Sequence, residues 1–416
     1  MIKHFLAYGN SDQVSFRSDL VRECFDVMTV PGTIAAYYQD ATAAFVLSSE
    51  IPYLIDPRTP LFQGRIESPK PSHVSLAEWH GEHVLRLVTA AVDGHDSYLS
   101  PSDFDDPGVL RDMVDRIVHE QTAYADRAPG VENKIDRYRR LLAEARGSSH
   151  VESAFRPAAP IGVVAPYFAV TSTLDPWWSV NRRVWDYCVE SHANDLAVMP
   201  VVTVGDVSVL GQALAEVPAD LGLDVLFWVT GFDERRAVGQ DLDALWSTVR
   251  SASNRGVRLA NMYGGYFSIL LARAGLAAFG NGLTYSESRA WPALAATGAA
   301  PARYYVPALH LFLTPALAQA LLDLAPTLGC ECRVCRDESG RSRSVVALTY
   351  HELKEHFAAA RQWERVFVDT SSVAEMELQL VDAARIVEGV RDRLPPRSNV
   401  STLHLDTWAR VLGRCA

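Results

Sequence analysis

Three cysteines fall within six residues, Cys330-Glu-Cys332-Arg-Val-Cys335, and a histidine-bearing segment follows, Thr349-Tyr350-His351-Glu352-Leu353. Thiolates joined by one imidazole are the donors that Zn2+ takes in a tetrahedron. The Cys-x-x-Cys half can fold as a tight knuckle, with Cys330 approaching from the preceding turn. A helix start then supplies His351, and His356, five residues on, is the rival fourth donor. Four protein ligands leave no open position, so the zinc expected here is structural and does not activate water. Glu331, Arg333 and Arg336 make the segment polar, which argues against inert buried thiols. Cys24, Cys188 and Cys415 are scattered and read as core or terminal thiols. A disulfide scaffold is short and cysteine-dense throughout; this chain of 416 residues with 6 cysteines is neither, and a reduced, cytoplasmic compartment is expected.

A second group of residues could move protons or hold a substrate. Asp56, Asp206, Asp233, Glu234 and Glu287 stand near the ends of apolar runs, with Arg289 as an oxyanion or phosphate partner. Asp56 follows Pro52–Ile55 directly, where a carboxylate could accept a proton; a turn role before Pro57 is the plainer alternative. Asp233 and Glu234 are adjacent, so at most one of them can face a given side of a strand end. Tyr167 and Tyr263, also at strand ends, could stack a flat ring. His310 reads as a hydrogen-bonded core residue.

These side chains need a frame, and the hydrophobic pattern supplies one. Apolar runs recur at Thr33–Tyr38, Ala44–Ser48 or Pro52–Ile55, Ile161–Val170, Leu196–Val204, Val225–Val229, Val257–Met262, Leu276–Leu283 and Tyr304–Leu309. Helix-like stretches separate them, including Val207–Val217, Asp241–Ser253, Tyr266–Arg273 and Pro315–Leu324. Near-continuous apolar strands alternating with amphipathic helices imply a parallel sheet buried on both faces. About eight such units, with no Gly-x-Gly-x-x-Gly loop, favour an α/β fold of the (β/α)8 barrel type, in which strand-end residues converge on one mouth. Four segments are expected: the first barrel strands over 1–65, a helical insertion over 66–155, the rest of the barrel over 156–325, and a zinc-binding subdomain with C-terminal helices over 326–416. The insertion reads as Leu76–Val92, Val109–Asp126 and Val131–Arg146, and the C-terminal helices as His351–Trp363 and Ala374–Leu394.

A Cys-x-Cys-x-x-Cys followed by a histidine near the end of such a chain resembles the tRNA-guanine transglycosylase family, including its DNA-acting 7-deazaguanine relatives. Leu348-Thr-Tyr-His351-Glu-Leu353 looks like the family's Leu-x-x-His-Asn-Leu, though it follows Cys335 at a shorter spacing. Leu54-Ile-Asp56-Pro-Arg-Thr-Pro-Leu-Phe62-Gln63 is similar to Thr-Asp-Ser-Gly-Gly-Phe-Gln, whose aspartate serves as acid/base. Val229-Thr-Gly231-Phe-Asp233-Glu234 looks like the strand end where the family reads its base. Met262-Tyr-Gly264-Gly265 resembles the next strand-to-helix segment. The resemblance implies a pentosyltransferase exchanging guanine or a queuosine-type 7-deazapurine. Asp56 would be catalytic, with Gly231, Asp233 and Glu234 at the base beside Tyr167 and Tyr263.

The departures are as specific as the matches. The family's nucleophile is the aspartate of Phe-Asp-Cys, and here Phe279 is followed by Gly280 and Asn281. Neither can form a glycosyl-carboxylate intermediate. Glu287, in the same loop, is the candidate replacement. The leading expectation is a transglycosylase-like protein acting on or binding a 7-deazaguanine-type base linked to a nucleic acid or sugar. The alternatives are a non-catalytic partner subunit in a homo- or heterodimer, and a barrel hydrolase of glycoside bonds using Asp56 with Asp233 or Glu234. Lys and Arg total 39 against 50 Asp and Glu, a net charge of −11, which disfavours whole-surface binding of tRNA or DNA. No apolar run approaches a membrane span.

Overall fold

The computed structural model describes residues 1–65, 69–145, 156–192, 197–217, 224–284, 287–291, 301–396, 398 and 400–415. Its centre is a parallel sheet. The strands are β1 (Lys3–Ala7), β2 (Val27–Pro31), β3 (Tyr53–Asp56), β4 (Val163–Val164), β5 (Ala169–Val170), β6 (Val198–Met199), β7 (Val201–Val204), β8 (Asp224–Val229), β9 (Arg258–Asn261) and β10 (Ala278–Gly282). Eight of them form one ladder in the order β3-β2-β1-β10-β9-β8-β7-β5, and β4 pairs with β6 beside it. Each pairing is parallel, so helices must cover the sheet, and they account for most of the remaining chain.

The sheet curls into an open half-barrel, and its β3 edge is bridged to the segment before β4 at a seam. Tyr53 of β3 forms a parallel bridge with Pro160, its N–H donating to Ala159 O at 3.2 Å, and Ile161 N–H donates to Tyr53 O at 3.0 Å. Beyond this the strand breaks at Pro166, and side-chain amides replace the ladder. Gln121 accepts from Val164 N–H and donates to Val164 O, both at 2.9 Å. Asn181 brackets Phe168 in the same way at 2.7 and 2.8 Å, and Gln63 brackets Ala169 at 2.7 and 2.9 Å. Three buried amides thus satisfy backbone groups that a straight strand would have paired.

Alternation along the strands separates two cores. Phe5, Val27, Leu54, Val164, Met199, Val201, Leu226, Trp228, Ala260 and Ala278 form an inner cluster enclosed by the curled sheet. Their sequence neighbours, such as Leu6, Met28, Ile55, Val202, Phe227, Leu259 and Phe279, join the larger core beneath the helices.

Several expected elements differ. Thr33–Tyr38 is mostly helix, Gly32–Tyr37, and Ala44–Ser48 lies in helix Gln39–Ser48; Pro52–Ile55 is the strand of that pair. Tyr304–Leu309 is β11 (Tyr304–Val306), which pairs antiparallel with β12 (Leu311–Leu313) apart from the main sheet. The two strands replacing them are β1 and β2. β1 begins Lys3-His4, a polar start that obscures its pattern, and His4 is buried only because Asn281 and Cys24 O meet its ring nitrogens.

The 66–155 stretch is helical where described: Pro71–Trp79, Glu82–Val92, Pro107–Thr122 and Glu132–Ala145. These pack on Gly32–Tyr37 and Gln39–Ser48 and supply Gln121 to the seam. Residues 66–68 and 146–155 lie outside the described residues, as does Leu196. Pro315–Leu324 has the bounds expected of it, and helices Tyr350–Thr370 and Val373–Val390 follow. No described helix is long and apolar enough to cross a membrane.

Candidate metal centre and strand-end site

The knuckle forms as its spacing demands. Cys335 N–H and Arg336 N–H both donate to Cys332 O, at 3.0 and 3.1 Å, turning the chain so that the sulfurs converge. The fourth donor is His356, not His351. One donor atom from each of Cys330, Cys332, Cys335 and His356 lies within 4.8 Å of the others. His356 Nδ1 is 3.5 Å from Cys332 Sγ and 3.2 Å from Cys335 Sγ. Tetrahedral zinc bonds of about 2.3 Å to sulfur and 2.0–2.1 Å to nitrogen put such atoms about 3.5–3.8 Å apart, so the group fits.

The outer face of the imidazole is also set for a ligand. His356 Nε2 donates to Tyr305 O at 2.6 Å, so Nδ1 is the ring nitrogen that faces the sulfurs. Tyr304 stacks on the ring at 4.3 Å, and its hydroxyl lies 3.3 Å from Cys335 Sγ. Burial opposes the imidazolium, but the two sulfurs outweigh it and lift His356 to about 10. Cys330 and Cys335 push Cys332 down, which favours the thiolate a metal needs. The cluster can therefore hold a metal ion such as zinc. His351 sits in the first turn of the same helix, with Nδ1 3.1 Å from Ser15 Oγ and Nε2 3.4 Å from Glu355. It is 37% exposed and takes no part in the cluster.

The strand-end site lies at the C-terminal ends of β1, β2, β3, β9 and β10. Asp56 closes β3 and is 2% exposed. Its Oδ1 accepts from Tyr167 Oη at 2.8 Å and from Arg58 N–H at 3.0 Å, while Arg58 Nε lies 3.5 Å from Oδ2. Arg58 has φ 53°, a left-handed conformation that costs a non-glycine residue about 1–3 kcal/mol and turns the backbone over the carboxylate. A cavity of about 30 Å³ lies here, lined among others by Thr29, Asp56, Arg58, Met262 and Tyr263.

Arg289 is fixed by its loop. Gly231, at φ 72°, donates its N–H to Arg289 O at 2.7 Å. Trp291 donates its N–H to Thr230 Oγ1 at 2.5 Å and its indole N–H to Pro60 O at 2.8 Å. Arg289 in turn donates to Tyr263 Oη at 3.1 Å and lies 5.4 Å over that ring. Gly231 thus acts as an anchor for the arginine loop. Residues 285–286 and 292–300 of this loop lie outside the described residues.

The other sequence candidates are placed elsewhere. Asp233 pairs with Arg235 and Arg236, and Asp206 caps helix Val207–Ala215 by accepting from Ser208 N–H at 2.7 Å. Glu234 is buried against the start of helix Tyr266–Leu270. It accepts from Gly265 N–H at 2.9 Å and from Ser268 N–H at 3.3 Å and Oγ at 2.5 Å. Burial, with Glu287 adding to it, raises Glu234 to about 7. Glu287 is bound by Arg361, and Arg235 lies 3.6 Å away. Arg361 also donates to Glu364 at 2.5 Å, and Glu364 receives Tyr305 Oη and pairs with His310, each at 2.7 Å. Glu287, Asp233 and Glu234 do not line the Asp56 cavity.

Asn281 lines the cavity, but its side-chain Oδ1 is engaged by His4 Nε2 at 2.9 Å. Alternation places Gly280 with Ala278 on the inner face, where a Cβ would meet Met262 O at 2.6 Å. Sequence reasoning missed Arg58, whose left-handed turn leaves no compositional trace, and the Arg361–Glu364 pair, whose burial depends on tertiary packing.

The described fold is a curled parallel α/β sheet with a C-terminal Cys3His cluster. No family model matches the chain, and no curated protein or solved structure matches it.

Proposed function

We propose that this chain is a transglycosylase-like (β/α)8 barrel that acts on a 7-deazaguanine-type base joined to a sugar or nucleic acid. The observation carrying the reading is Asp56, a buried carboxylate at the end of an inner strand, in the same molecule as a Cys3His cluster following the barrel. Inner strand ends are where such barrels collect their chemistry. Asp56 is the one carboxylate lining the cavity among the described residues. Tyr167 and Arg58 orient it, so one carboxylate oxygen can meet a ring N–H or the anomeric carbon in a defined direction. The cavity is too small for a purine, so the base would lie over the mouth against Tyr263. The metal has four protein donors and organises the subdomain; proton handling belongs to Asp56 and its partners.

A second reading, a non-catalytic subunit of the same type, is favoured by Gly280, whose inner position carries no carboxylate and has no room for one. The hydrolase reading draws less support, because Asp233 and Glu234 are engaged outside the cavity.

Incorporation of labelled guanine into tRNA, DNA and free nucleosides tests the choice. At least one should be labelled, and Asp56→Asn should lower the rate about 100-fold or more, the usual scale for a lost acid/base group. Labelling that appears only after adding a partner protein, and survives Asp56→Asn, would establish the subunit reading instead.

A further inference from the structure

The chain after β10 reaches across the mouth of the curled sheet, and Trp291 makes the crossing. Its backbone N–H is tied to Thr230 Oγ1, directly after β8, and its indole N–H to Pro60 O, in the turn after β3. Four strands, β2, β1, β10 and β9, lie between β3 and β8 in the ladder. On a curled sheet, a residue tied to both strand ends is a chord over the opening. The half-buried indole packs on the inner cluster that includes Tyr167 and Trp228 and carries Tyr263 beside it. Two residues earlier, Arg289 lies 5.4 Å over the Tyr263 ring and donates to its hydroxyl. One face of Tyr263 and the opening of the sheet are thus covered by the chain's own residues 289–291.

The indole's tethers are of a kind that a ligand can replace. Pro60 O also accepts from Gln63 N–H at 3.1 Å, so it keeps a partner when the indole leaves. The bond from Trp291 N–H to Thr230 Oγ1 joins two neutral groups, and water can take its place at small net cost. Indole is a flat six-five fused ring with one N–H donor. Guanine and 7-deazaguanine share that fused outline and carry N–H groups of their own. Aromatic walls accept either, because stacking tolerates changes of ring identity.

We infer that Trp291 is a built-in occupant of the binding slot over the mouth, and that a flat bicyclic heteroaromatic ligand enters by displacing its indole. The incoming ring would take the wall against Tyr263 and the carbonyl of Pro60. That this ring is a guanine-type base rests on the function proposed above; the slot itself rests on Trp291 and its anchors. Binding is then taxed by the fraction of molecules whose slot is open, and removing the indole removes the tax.

Calorimetry on the full-length protein and on Trp291→Ala tests this with two probes, indole and 7-deazaguanine. Indole should bind Trp291→Ala at least ten-fold tighter than the unmodified protein, because it refills the space its own ring vacated. 7-Deazaguanine should also bind the variant at least ten-fold tighter. Indole binding that is no tighter in the variant overturns the slot. Weaker binding of 7-deazaguanine to the variant would make Trp291 a wall of the base site and overturn its role as occupant. Indole binding the variant while 7-deazaguanine binds neither protein would remove the base-handling function and leave the slot standing. Trp291→Leu, which keeps an apolar side chain against the inner cluster, repeats both measurements if the alanine variant does not fold. Failure of both variants to fold would make Trp291 a strut that no ligand displaces, and would overturn the inference.

Discussion

His351 and His356 share one helix, and helical geometry separates them. Five residues turn the helix by about 140° beyond a full revolution, so the two imidazoles cannot face the same sulfurs. His356 is on the face that packs against β11, where Tyr305 O receives its Nε2 proton; His351 is on the outer first turn. Purified His356→Ala should therefore retain well under one zinc per chain by elemental analysis, and His351→Ala should retain about one. The reverse pattern would sink the assignment. The same locality governs Asp56, whose role depends on a phenol 111 residues away in sequence. That phenol is itself fixed at a broken strand held by Gln63, Gln121 and Asn181.

At the scale of elements, the short helix Tyr266–Leu270 and β10 shape the site most. Glu234 satisfies N–H groups at the start of that helix from a position with almost no water, and Glu287 faces it across Gly265. Burial lifts its pKa from the ordinary 4.5 to about 7. The folded state then keeps a proton that the unfolded chain releases between about pH 4.5 and 7. Stability from this group is greatest below that window and falls through it, by an amount on the order of 3 kcal/mol at 1.36 kcal/mol per unit. Glu234→Gln should shrink the difference in melting temperature between pH 5 and pH 8; an unchanged difference would show that the carboxylate does not titrate in this range. β10 leaves no room for a side chain at Gly280. Any side chain at Gly280 meets the Met262 carbonyl of the adjacent strand, so glycine keeps the inner wall closed.

Across the whole molecule, helix Tyr350–Thr370 joins the metal cluster to the first strands. Arg365 donates to Ile2 O at 2.9 Å, to Cys24 O at 3.2 Å and to Asp26 at 2.5 Å, and Lys354 meets Asp12 at 2.5 Å. Arg361, on the same helix, holds Glu287 and Glu364 in a dry network, where a lost partner costs about 3–5 kcal/mol. The cluster is thus a clamp on one end of an element that also holds the chain just before β1 and β2. Stripping the metal with a strong chelator should lower the melting temperature of the entire cooperative transition by several degrees. Complete zinc loss without a shift would place the clamp outside the folding unit.

The amino-acid order by itself determined the alternation of parallel strands and helices, because continuous apolar runs and amphipathic stretches are local signals. It also determined the three-thiol knuckle, whose donors lie within one turn of chain, and the position of Asp56 at a strand end. It misread Thr33–Tyr38, where a β-branched, aromatic run sits in helix Gly32–Tyr37, and overlooked polar-headed β1. Only the tertiary structure decided that His356 completes the cluster, that Glu287 belongs to Arg361, and that Arg58 turns back over Asp56. Each of those outcomes depends on which face of an element meets a distant partner. Burial then sets the energy: a charge or donor enclosed in low dielectric must find its partner across the fold, wherever the chain has placed it.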